Sequence, residues 1–314
     1  MSEKHLLVPG GFGKVPASLC HHVPDGWMVH AIDDKDAVGL GGVLMNRKDH
    51  SDIKRVVKPT KEAIEWIGHH KEKHAKDIKT FLEARRDKAA IGPSTSNWVS
   101  ARDCAVSGTP SLTAFYANFP VPSYPTGSPN ELNAVWPGLL GTPSGGGGLD
   151  LLQPVITIGT GWASDGPSVP TQWVSSNWLY RTSMGWWFTQ GLNTVTPVGG
   201  GLQGFMTKDG SGIWTVGLNL SGSQVGSNLY LNSASNMGTF TTPVVAYETG
   251  GFLSACNKYL PSTILFNGMG VEDASGFPTL SWSGSYTISI GCGTQSQTVN
   301  SNSNPNSSVT VRPQ

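Results

Sequence analysis

Ionisable side chains are scarce over most of this 314-residue chain. The 224 residues after position 90 hold 5 of the 21 Lys and Arg, 8 of the 21 Asp and Glu, and none of the eight His. Without histidine that region cannot build a Ser, His and Asp triad, and no Gly-x-Ser-x-Gly elbow is present to carry one. Formal charge is zero overall, +3 up to residue 90 and −3 beyond it, so neither part offers a polyanion a strong field and nucleic acid is not an expected partner. No run of about 18 apolar residues exists, so no helix is expected to span a membrane. The four cysteines, Cys20, Cys104, Cys256 and Cys292, are too few and too scattered for a disulfide framework, and none forms a close metal-binding pair. Cys256 and Cys292 are able to bridge if the chain meets an oxidising compartment.

What is present is unevenly divided. Residues 1–90 carry 16 of the Lys and Arg, 13 of the Asp and Glu and all the His, whereas nine of the eleven Trp come later. Such a shift marks a boundary, placed at Gly92-Pro93-Ser-Thr-Ser, where turn-forming residues cluster. Residues 1–59 are mixed, with short β-like pieces at Trp27-Met-Val-His-Ala-Ile and Ala37-Val-Gly-Leu-Gly-Gly-Val-Leu, and read as a small irregular unit. One long amphipathic helix is expected over residues 60–88, because Ile64, Ile67, Ala75, Ile78 and Leu82 form an apolar stripe. Thr60 suits its N-cap, Glu62 and Glu65 its first turn, and Arg85, Arg86 and Lys88 its last. His70 and His74 lie one turn apart on it, but a zinc-peptidase His-Glu-x-x-His would need glutamate where Lys71 stands. They read as a solvated face, with no metal and no cofactor expected.

From residue 93 to 293 the pattern becomes short β-branched or aromatic runs separated by Gly, Pro, Asn and Ser. Strands are expected near 111–117, 131–136, 151–158, 177–188, 202–207, 212–220, 226–231, 238–248, 262–269 and 284–291, spaced as in an antiparallel sandwich or barrel. Gly199-Gly-Gly-Leu-Gln-Gly reads as a hairpin turn, since no helix pattern follows it to make a phosphate loop. Residues 294–314, dominated by Asn, Ser, Gln and Thr, read as a low-complexity, loose tail. Met1-Ser-Glu-Lys-His lacks the basic and then apolar pattern of a secretory signal, while Asn219-Leu-Ser and Asn306-Ser-Ser are sequons that fit secretion. Compartment stays open on these signs.

Two strands carry the candidate chemistry. Leu149-Asp-Leu-Leu-Gln-Pro-Val-Ile-Thr-Ile holds one amide, Gln153, and Pro243-Val-Val-Ala-Tyr-Glu-Thr holds Glu248, one of three glutamates after residue 90. Strand alternation sets Gln153 with Val155 and Thr157, and Glu248 with Val244 and Ala246, on the less apolar face of each strand. The plain reading makes both solvated outer-face residues. The functional reading makes them a pair, in which the carboxyl acts as base toward water and as acid toward a leaving amine while the amide N–H steadies an oxyanion. Trp178 and Tyr180 share a face and are the aromatics expected to line a groove.

The order of short motifs resembles the eqolisin glutamic peptidases: Asn133-Ala-Val-Trp-Pro-Gly-Leu-Leu-Gly, Leu151-Leu-Gln-Pro-Val-Ile-Thr-Ile-Gly, Trp178-Leu-Tyr, Val198-Gly-Gly-Gly-Leu-Gln-Gly and Val244-Val-Ala-Tyr-Glu. The resemblance covers roughly residues 110–275. It implies a concanavalin-like jelly roll of two antiparallel sheets, a Gln153 and Glu248 dyad on the concave face, substrate contacts from Trp136, Trp178 and Tyr180, and a polypeptide substrate. Residues 1–92 would then be a pro-region over the groove. The chain departs from the family pattern after Trp136, where no carboxylate follows, at Tyr180, where an acid is common, and at Val244, four residues before Glu248. The alternative is a non-catalytic, lectin-like sandwich that binds carbohydrate or protein through the same aromatics. Acidic calcium ligands are scarce for that role.

Overall fold

The computed structural model of the chain describes residues 3–10, 12–31, 42–48, 53–55, 60, 61, 63, 65, 66, 98–108, 110–127, 131–142, 149–159, 169–181, 184–190, 193–232, 239–250, 253–287 and 290–314. Its strands, in chain order, are β1 (His5–Val8), β2 (Gly13–Pro16), β3 (Cys20–His22), β4 (Trp27–Ala31), β5 (Gly42–Asn46), β6 (Ile53–Arg55), β7 (Trp98–Val106), β8 (Leu112–Pro120), β9 (Asn133–Thr142), β10 (Asp150–Gly159) and β11 (Val169–Arg181). They continue with β12 (Gly185–Phe188), β13 (Asn193–Thr194), β14 (Gly201–Lys208), β15 (Ile213–Leu220), β16 (Ser223–Gln224), β17 (Leu229–Asn232), β18 (Thr239–Thr249), β19 (Ile264–Asp273), β20 (Leu280–Thr287), β21 (Ser296–Ser301) and β22 (Ser307–Arg312).

Two sheets face each other. The first runs β20-β7-β18-β9-β10-β11-β12-β3 and the second β21-β22-β19-β8-β14-β15-β17-β4-β5-β6, with β13 and β16 attached to β11 and β15. Between them lies a core that includes Leu152, Ile156, Val245 and Tyr247 from the first sheet and Phe115, Met206, Val216 and Phe266 from the second. In the second sheet β14 alternates buried and partly exposed residues, as a strand with one wet face should. In the first, β10 is buried at every position, because its outer face is covered as well. That second cover explains why Leu-Asp-Leu-Leu-Gln-Pro-Val-Ile-Thr-Ile reads as an almost unbroken apolar run, since strands buried on both faces lose alternation.

The fold is nearly all β and sandwich-like, as composition implied. The sheets are mixed, however: β12 pairs with β3 and β17 with β4 in parallel. Both parallel pairs recruit the N-terminal segment, so residues expected to form a separate irregular unit extend the two sheets. Among the described residues no helix reaches seven residues. Of the helix expected over 60–88, only Thr60, Lys61, Ala63, Glu65 and Trp66 are described, and there Ala63 N–H donates to Thr60 Oγ1 at 3.1 Å, the expected N-cap contact. His70 and His74, and the glycines 145–148, lie outside the described residues.

The expected loose tail is also corrected. Residues 296–312 form the β21–β22 hairpin, whose inner strand pairs with β19 and buries Val309 and Val311. Alternating Val at 309 and 311 suffices for one apolar face, and Asn304 locks the turn by donating to Val271 O (2.8 Å) and Pro278 O (2.7 Å) while accepting Val271 N–H. Asn-rich sequence here satisfies backbone groups instead of leaving them to water. The sequence pattern does not reveal strand β7, because Arg102-Asp103 interrupts its apolar run. Both charges find partners at the sheet edge: Arg102 donates through Nε and Nη2 to Trp282 O, and Asp103 accepts from Tyr286 Oη at 3.1 Å. Cys256 and Cys292 form a disulfide, closing a 36-residue separation with Cα atoms 5.3 Å apart.

Candidate active site

Strand alternation sends alternate residues of β9, β10, β11 and β18 to the outer face of the first sheet. Trp136, Leu151, Val155, Trp178, Tyr180, Val244 and Ala246 meet there in a second apolar cluster. Gln153 and Glu248 share the parity of their neighbours in that cluster and point the same way. Both are buried, at 1% and 0% exposure, so the reading of two solvated outer-face residues does not hold.

Over Glu248 the cover is the chain's own N-terminal segment. The β1–β2 hairpin contributes Val8 and Val15 to the outer cluster, and Leu19 and Ala63 join them. Glu3 fastens this cover, accepting Ser18 N–H at 2.7 Å and the Thr60 hydroxyl. The hairpin's turn reaches Glu248: Gly10 N–H donates to Glu248 Oε2 at 3.0 Å. Gly10 adopts φ +92°, and a Cβ there would lie 2.8 Å from Leu151 Cδ2, so both conformation and space call for glycine.

Of the five candidate residues, the fold brings Trp136 and Glu248 into direct contact, with indole Nε1 donating to Glu248 Oε2 at 2.9 Å. Their strands are neighbours, with Ala246 opposite Trp136 and Glu248 opposite Ala134. Gln153 sits opposite Trp178 on β11. Pairing of β10 with β9 runs from Leu152 opposite Leu139 to Ile156 opposite Val135, and between those points Pro137 and Pro154 have no N–H to give. Carried across that gap, the register sets Gln153 level with Gly138 and Val244, whereas Glu248 is level with Ala134 and Thr157. Gln153 and Glu248 are thus two strands and four residues apart, roughly 16 Å between Cα atoms on a flat sheet. Trp136 occupies the space between: its Nε1 meets Glu248, and its Cζ3 would be 2.9 Å from a Cβ placed on Gly138.

Trp178 and Tyr180 are on the same face as expected, but buried at 0% and 4%. Trp178 stacks with Phe188 (4.7 Å between centroids) and gives its N–H to Ser176 Oγ at 2.8 Å. Tyr180 stacks on Trp186 at 4.5 Å and on Phe12 of the hairpin turn at 4.3 Å. The roles of Gly10, Phe12 and Trp186 escaped the sequence reading, because nothing local in Pro9-Gly-Gly-Phe-Gly says which distant face it will meet.

The thiol and imidazole of β3, five strands from β18 in the sheet order, are poorly suited to replace the carboxyl. Burial, with a smaller contribution from Glu3, pushes the Cys20 thiol up to about 12, so it holds its proton and is a poor nucleophile. Burial holds the His21 imidazole down at about 4, and its ring packs at 4.6 Å on Trp187, in the core between the sheets. Among the described residues no cluster of three His, Cys, Asp or Glu is placed to hold a metal.

No protein-family model matches the sequence, and no curated protein matches it. Solved structures do. A crystal structure of scytalido-glutamic peptidase with a transition state analog inhibitor is 15% identical with a TM-score of 0.43, and one with a peptide-based transition state analog is 13% identical at 0.43. SCP-B, a member of the eqolisin family of peptidases in complex with the tripeptide Ala-Ile-His, is 13% identical at 0.41. Each comparison covers 68% of this chain and 97% of the other.

Proposed function

We propose that this chain is a glutamic endopeptidase of eqolisin-like jelly-roll design, with Glu248 as the proton-moving group and Gln153 as a substrate-positioning amide, held in a covered form. The observation that carries the reading is the Glu248 carboxyl, fully buried on a sheet face, which accepts one N–H from the Trp136 indole and one from the backbone of Gly10. The second contact is one that a polypeptide lying across the face would make with its own backbone. A carboxyl in this position can take a proton from water as it attacks a peptide carbonyl and return one to the leaving amine. Trp136 keeps the carboxyl oriented. The Gln153 amide, level with Gly138 and separated from Glu248 by the Trp136 side chain, would hydrogen-bond the substrate backbone further along the face and hold it in register.

The hairpin has to leave before a substrate enters, so the chain as folded would be a latent form and residues 1–92 its pro-region. The test is hydrolysis of casein between pH 2 and pH 7 by the full chain after prolonged acid incubation, beside Glu248→Gln and Gln153→Ala. The reading expects cleavage by the parent and at least 100-fold less by each variant; equal rates in all three would remove it.

A further inference from the structure

The turn that covers Glu248 also fills a side-chain slot. Two residues beyond Gly10, the Phe12 ring lies tilted on Tyr180 at 4.3 Å and edge-on to Trp186 at 5.1 Å. Tyr180 and Trp186 are cross-strand partners on β11 and β12 and stack on each other at 4.5 Å. Their wall is therefore built by the sheet, with Trp66 closing it edge-on to Trp186 at 5.6 Å. Leu151, opposite Tyr180 on β10, presses against Gly10 so closely that no side chain fits there. The face thus receives this turn in a defined way: backbone against Leu151, N–H on Glu248, and an aromatic ring two residues later against the stacked Tyr180 and Trp186.

We propose that the Tyr180–Trp186 slot is a specificity subsite for an aromatic side chain of a bound polypeptide, two positions after the residue whose N–H meets Glu248. The inference rests on the peptidase reading for its ligand class, and Phe12 is the chain's own stand-in for that ligand. Flat rings stacked or edge-on to two sheet-borne aromatics gain more than their buried area alone. A phenylalanine, tyrosine or tryptophan side chain is therefore favoured over an aliphatic one.

The slot can be emptied in the full-length chain by Phe12→Ala, which leaves Glu248, Gln153 and Trp136 in place, and probed with N-acetyl-phenylalaninamide. The expected result is saturable binding that raises the melting temperature of Phe12→Ala. Affinity should be at least tenfold weaker in the parent chain, where Phe12 fills the slot, and at least tenfold weaker for N-acetyl-alaninamide. Equal responses of parent and variant, or of the two amides, overturn the slot. Phe12→Val, whose short side chain still vacates the place of the ring, answers the same question by the same criteria should Phe12→Ala not fold. The slot and the peptidase reading fail separately. If no chain cleaves casein, the peptidase reading falls and the amide binding difference stands; cleavage with no aromatic preference near the scissile bond removes the slot as a substrate subsite and leaves the peptidase.

Discussion

Trp136 and Glu248 are 112 residues apart in sequence and joined by one hydrogen bond, indole Nε1 to carboxylate Oε2 at 2.9 Å, in a region closed to solvent. A buried carboxyl that loses such a donor bears more of its desolvation cost, and hydrogen bonds to charged groups contribute about 1.5–3 kcal/mol. Trp136→Phe keeps most of the ring and removes the donor. It should lower unfolding free energy by about 2 kcal/mol in urea titration and reduce any Glu248-dependent hydrolysis more than tenfold; a variant as stable as the parent would show that this contact does not hold the carboxyl.

Gly10→Val tests the cover. The added side chain meets Leu151 and a φ of +92° that branched residues avoid, so the turn should lift from Glu248 while the sandwich persists. Limited proteolysis should cut within residues 5–16 at least tenfold faster than in the parent, with the melting of the β core shifted by only a few degrees.

His21 makes stability fall in mild acid. Its folded-state value, near 4, lies below the unfolded value of about 6.5, so between those limits the unfolded chain binds the extra proton and stability drops as pH falls. Well above pH 6.5 both states are neutral and the group contributes no pH dependence. The full shift is worth about 3 kcal/mol, read as the change in urea midpoint between pH 7 and pH 4. His21→Phe should lose most of that change; an undiminished pH dependence would assign it to carboxylates instead.

The Cys256–Cys292 bridge closes a 36-residue separation, for which chain-entropy arguments give about 3–4 kcal/mol. Cys256→Ser with Cys292→Ser should lose that stability under oxidising conditions, and reductant should lower the parent to the level of the variant.

Tyr247 tests the inter-sheet core. Its hydroxyl donates to Asn133 Oδ1 at 2.5 Å and accepts Leu260 N–H at 3.3 Å, while Asn133 Nδ2 donates to Lys258 O at 3.0 Å. Tyr247→Phe takes this partner from Asn133 Oδ1 and Leu260 N–H and should cost about 1–3 kcal/mol in urea titration, with no change in the accessibility of the N-terminal hairpin.

Sequence by itself determined the class of the fold and the parity of the candidate residues. Short β-branched runs between turn residues can pack as two sheets, and a period of two sends Gln153 and Glu248 to the face of Val155 and Ala246 wherever the strands lie. What the sequence left out depends on partners distant along the chain. Strand β7 hid its pattern behind Arg102-Asp103, whose partners lie near residue 282; the tail looked polar until Val309 and Val311 met β19. The unbroken burial of β10 meant covering on both faces, a sign present in the sequence that points to no particular cover. Only tertiary structure decided that the cover is the β1–β2 hairpin, that Gly10 meets Glu248, and that Trp136 stands between Glu248 and Gln153. Local patterning fixes which way a side chain points, because that is a property of backbone geometry; what it then touches is set by long-range register and docking, which no short motif encodes.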